Sequence, residues 1–88
     1  MVLPTGRQLA AARALAMLEQ RKVAKRAKIN VTTLYRMEAC GAAKVRGIGT
    51  KIEAVLNVLR EAGVELTYDP DGVRLIAQPK QRRNRADD

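Results

Sequence analysis

"QRKVAKRAKINVTTLYRMEA", Gln20 to Ala39, decides the fold of this chain. Two short helices fit into it, with a break between them. In the first, Val23, Ala24 and Ala27 fall on one face and Arg21, Lys22, Lys25, Arg26 and Lys28 on the other. Glu19 before it is a mediocre N-cap, although its charge suits the helix dipole. Ile29 and Asn30 break the pattern. Asn30 is a good N-cap for a second helix, from Val31 to about Ala39. Inside that helix Leu34 and Met37 share a face, with Ile29 leading in, so Val31, Thr32, Tyr35 and Arg36 are expected to face outward.

Working outward from this stretch, two flanking helices are expected. Upstream, Thr5 and Gln8 have capping-box spacing with Pro4 just outside, and Leu9, Ala12 and Ala16 form a buried stripe. Downstream, "CGAAKVRGIG" is a loop with three glycines and two bases. It leads into a helix whose apolar residues Ile52, Val55, Leu56 and Leu59 recur at helical spacing. Thr50 and Glu53 are expected to form its capping box, and Gly63 its C-terminal stop. The period then changes from 3.6 to 2. "VELTY" and "VRLIA" flank the turn signal "DPDG", which predicts a hairpin with strands at about Val64–Tyr68 and Val73–Ile76. Residues 1–78 thus read as one mainly α domain of four helices with a C-terminal β-hairpin. Residues 79–88 are too polar to fold alone and read as a disordered tail.

Composition narrows the function. The net charge is +8, and its distribution is uneven: residues 1–51 hold eleven bases and two acids, residues 52–79 two bases and five acids. A concentrated basic half is the electrostatic footprint of a nucleic-acid binder. The chain has no His, no Ser and a single Cys, Cys40, which excludes Ser-His and Cys-His nucleophiles and any His/Cys zinc site. Neither an enzyme nor a cofactor is expected. A lone Cys forms no internal disulfide and fits a reducing cytoplasm. No apolar run approaches ~20 residues, so no membrane span is expected, and "MVLPTGRQ" lacks the pattern of a signal peptide. "RGIGTK" at Arg46–Lys51 resembles a phosphate loop only superficially: the order is not Gly-Lys-Thr and no strand precedes it.

Two short helices on a tight connection predict a helix-turn-helix. Residues 20–39 resemble the helix-turn-helix of the lambda-repressor/Cro-like family, also called the XRE family. Ala24 stands at the fifth place of the motif, where the helices cross. Val23, Ala27, Ile29, Leu34 and Met37 stand at its apolar places. "RQLAAARAL" before the motif and "EAGVELTYDPDGVRL" after it look like small bacterial regulators of that family, a looser match over about seventy residues. Two positions depart from the pattern. Lys28 replaces the usual Gly of the turn, at a cost of roughly 1 kcal/mol if it is left-handed. Glu19 stands where Ser or Thr is frequent.

The resemblance implies a four-helix lambda-repressor-like domain that binds double-stranded DNA, with the helix starting at Val31 in the major groove. It implies base contacts by Val31, Thr32 and Arg36, and Tyr35 lies beside them on the same face. Arg36 has the geometry to donate two bonds to a guanine, and Val31 to meet a thymine methyl. Gln20 and Thr33 match places that contact the DNA backbone, and Lys44 and Arg46 are expected phosphate contacts in the loop. Arg13 and Glu38 match positions that pair internally. The leading expectation is a homodimeric cytoplasmic repressor, nucleoid-associated when bound, on inverted-repeat operators. Two alternatives stay open: a DNA-binding recombination or excision accessory factor, and an antitoxin-type protein-interaction module.

Overall fold

The computed structural model describes residues 3–68 and 71–75. Four helices precede a hairpin: α1 (Gly6–Leu15), α2 (Gln20–Ala27), α3 (Val31–Glu38), α4 (Gly49–Glu61), β1 (Val64–Tyr68) and β2 (Asp71–Leu75). The expected disordered tail lies outside the described residues, as does Ile76. Among the described residues no helix is long and apolar enough to cross a membrane.

Local chemistry sets most of the helix ends. Thr5 caps α1 through a complete capping box: its Oγ1 accepts from the Gln8 backbone N–H at 3.0 Å and Gln8 Oε1 accepts from the Thr5 N–H at 3.0 Å. Asn30 caps α3, its Oδ1 accepting from the Thr32 N–H at 2.8 Å. Lys28 ends α2 in the left-handed region, φ 60° and ψ 43°, so a lysine carries the conformation that glycine adopts freely. Gly63, φ 92°, follows the end of α4.

The core is aliphatic and crosses all four helices. Leu9, Ala12, Ala16, Val23, Ala24, Leu34, Met37, Ile52, Val55 and Leu59 are each buried to within a few percent. The alanines lie where helices approach, because a methyl group leaves room for a neighbouring backbone. α1 packs on α3 and on the hairpin, α2 on α3 and α4, and α4 on β1. In the antiparallel hairpin, Leu66 pairs with Val73 and Glu65 with Arg74. Leu66 and Val73 pack on the core, while Glu65 and Arg74 form an ion pair on the exposed face.

Two expectations are corrected. The Thr50/Glu53 capping box does not form. Gly47 adopts φ 144°, and the chain leaves it with Ile48 already extended as the N-cap, its carbonyl accepting from Lys51 and Ile52. Thr50 therefore falls inside the first turn rather than ahead of it. The second strand begins at Asp71 rather than Val73, because Tyr68 pairs with Asp71 and Thr67 with Gly72. Half of the expected four-residue turn is strand, and the Gly72 carbonyl is used by the core, as described next. The expected loop after α3 also contributes to the core. Its Val45 is buried, the Val45 N–H donates to the Pro4 carbonyl at 2.8 Å, and Lys44 bridges Thr5.

Two polar devices lock this arrangement. The buried Gln8 carboxamide caps α1 and also donates from Nε2 to the carbonyls of Thr67 (2.5 Å) and Gly72 (3.0 Å), tying α1 to both strands. At Gly6, an added Cβ would lie 2.6 Å from the Glu38 carbonyl oxygen and 2.6 Å from the Gly41 nitrogen. Only glycine lets the start of α1 approach the end of α3 this closely.

Candidate functional site

α3 is a short helix whose inner face is spent on the core. Leu34 and Met37 are both 1% exposed, which fixes the rotation of the helix. Thr32, Tyr35 and Arg36 are then exposed, and Tyr35 is one of the few large apolar side chains at the surface, 44% accessible. Val31 differs from expectation. It is half-buried and packs against the core, so it has a packing role and shows only part of its side chain outward.

The axial position of α3 is fixed by Glu38. Its carboxylate accepts from Arg13 Nε at 2.8 Å, from Arg13 Nη2 at 3.2 Å and from Gln20 Nε2 at 3.0 Å. Arg13 Nη1 reaches on to the Leu18 carbonyl at 3.1 Å. One carboxylate thus joins α1, the start of α2 and the end of α3. Gln20, expected at a DNA backbone, has its amide nitrogen engaged in this knot.

Beside α3 runs an open groove lined by Thr33, Arg36, Cys40, Arg46, Gly47, Ile48 and Lys51. The structure brings Thr33, Arg36 and Arg46 together here, although ten residues separate the two arginines in sequence. Lys44 stands outside the groove, on the segment that pairs with Thr5. Sequence reasoning missed Cys40, Gly47, Ile48 and Lys51, of which the last two bear on binding. Lys51 lies in the first turn of α4, where the helix dipole disfavours a cation, and Ile48 is an N-cap with an apolar side chain. A cation at the start of a helix was the available signal for Lys51, whereas Ile48 gave none because the spacing put the cap at Thr50. Among the described residues, Arg36, Arg46 and Lys51 have no ion-pair partner, and no acidic side chain lines the groove. The groove also meets the start of α4, whose first amides have no side-chain cap and no acid in the first turn. Three unpaired cations and free helix amides form a surface that favours anions.

A comparison with protein-family models, curated proteins and solved structures finds no match.

Proposed function

We propose that the protein is a sequence-specific double-stranded DNA-binding regulator built on a lambda-repressor-like helix-turn-helix, with α2 and α3 as the motif and α3 in the major groove. The observation that carries the reading is the division of α3. Its inner face is buried, its end is tied by Glu38, and its outer face presents Thr32, Tyr35 and Arg36 next to a groove with three unpaired cations. A recognition helix needs this division: rigid seating on one side and donors free for base edges on the other. Arg36 has the fork to read guanine O6 and N7, and Thr32 and Tyr35 flank it. The exposed part of Val31 is placed to meet a thymine methyl. Thr33, Arg46 and Lys51 take phosphates, which fix register without reading sequence, and Lys44 extends the basic surface past the groove. Gln20 contributes through its tie to Glu38 and with its remaining amide hydrogen.

The domain acts as a homodimeric repressor in this reading, with half-sites about one helical turn, ~10 bp, or a multiple apart. The composition supports it, because a core built without Phe or Trp gains from a partner subunit. The test is duplex binding measured across salt concentration. Each phosphate contact adds roughly 0.9 to the slope of log affinity against log salt. A steep slope and a preferred duplex sequence are expected, whereas salt-independent or absent binding contradicts the reading.

A further inference from the structure

Ile48 has no structural reason to be what it is. It is 58% exposed, it occupies the N-cap of the longest helix, and isoleucine is among the poorest N-cap residues. Its neighbours in the groove are Arg46, Lys51 and, across from them, Thr33 and Arg36. A free phosphate would satisfy the cations and leave Ile48 in water. A ligand in which anionic groups alternate with apolar surface covers both, and the DNA backbone is such a ligand: each phosphate is followed by a deoxyribose whose C2′ methylene is apolar.

We infer that Ile48 is a deoxyribose contact, seating one backbone sugar between phosphates held by Arg46 and Lys51 and making this position select DNA over RNA. The inference rests on the DNA-binding reading above. A ribose would press its 2′-hydroxyl, a donor and acceptor, against the Ile48 side chain, where its bonds to water are lost without replacement. An apolar N-cap is then the local cost of a sugar contact, in line with the habit of functional positions to break local rules.

The experiment is a ribonucleotide scan. Single ribonucleotides are placed in turn along a duplex selected by the wild-type protein, and each is titrated with wild type, Ile48→Thr and Ile48→Ala. Threonine is a favourable N-cap and the position is exposed, so the variant keeps its fold, checked by thermal melting. Effects of ribose on sugar pucker are common to all three proteins and cancel in the comparison. The wild type loses about fivefold to tenfold at one or two adjacent backbone positions. Both variants flatten those positions and leave the rest of the profile unchanged. Identical profiles in the three proteins overturn the sugar contact while leaving DNA binding intact. Failure of the wild type to bind any duplex overturns the DNA-binding reading and the contact with it.

Discussion

Arg13 and Glu38 form a bidentate ion pair, Nε to Oε2 at 2.8 Å and Nη2 to Oε1 at 3.2 Å, that joins α1 to the last residue of α3. The side chains are 23% and 9% exposed, so solvent screens the pair only partly. Removing the guanidinium leaves the Glu38 charge largely desolvated with Gln20 alone as partner. Arg13→Ala is expected to destabilise the fold by roughly 3 kcal/mol in urea melts. Gln20→Ala, which removes one hydrogen bond to the same carboxylate, should cost only about 1 kcal/mol. A loss below half a kcal/mol for Arg13→Ala would reject the role assigned to the pair.

Lys28 carries left-handed backbone dihedrals where a non-glycine residue is strained. Lys28→Gly should therefore stabilise the domain by up to about 1 kcal/mol, partly offset by the greater entropy of an unfolded glycine. Met17 offers an independent repeat: φ is 62° and the side chain is 72% exposed, so Met17→Gly loses little packing. Both changes should raise the melting temperature, and a fall in both would refute the strain argument.

Gly6 faces the backbone of α3 and of the residue after its C-terminal turn, not a flexible side chain. Gly6→Ala should cost roughly 1–3 kcal/mol, because the carbonyl of Glu38 and the nitrogen of Gly41 must both retreat. An alanine within a helix is otherwise favourable, so a neutral or stabilised variant would show that the close approach is relaxed in solution.

Gln8→Leu keeps the buried volume but removes the acceptor at the α1 cap and the donor to both strands. The expected loss is about 2–4 kcal/mol, because the Thr67 and Gly72 carbonyls lose a shared partner. Amide exchange should accelerate first in β1 and β2. Unchanged protection there would mean that Leu66 and Val73 hold the hairpin unaided.

Much of the fold was legible in the sequence, where a residue's chemistry acts on its own neighbourhood. Thr5 and Gln8 announce a capping box by spacing alone, and Asn30 announces the start of α3. The apolar stripes predicted the buried faces because helical period and burial are one geometric fact. The errors arose where chain outside the motif being read decided. Thr50 and Glu53 had the spacing of a cap, but Gly47 turned the chain so that the helix began two residues earlier than that cap requires. Asp71 and Gly72 read as turn residues, yet Gly72 is recruited into the strand opposite Thr67, where Gln8 reaches its carbonyl. Val31 read as facing outward because only its own helix was considered, whereas it is partly buried and packs on the core. The groove was half legible: Arg36 and Arg46 stood out as bases, but that Lys51 and Ile48 share their surface depends on how the loop folds back onto Pro4 and Thr5.

The most direct test of the DNA-reading claim is selection from random double-stranded DNA, run in parallel with wild type and Arg36→Ala. The wild type should enrich a defined motif. On that motif Arg36→Ala should lose about 1–3 kcal/mol of binding and relax its preference at one base position, leaving the others intact. A uniform loss across all sequences would reduce Arg36 to a phosphate contact. No enrichment by the wild type would contradict the central claim.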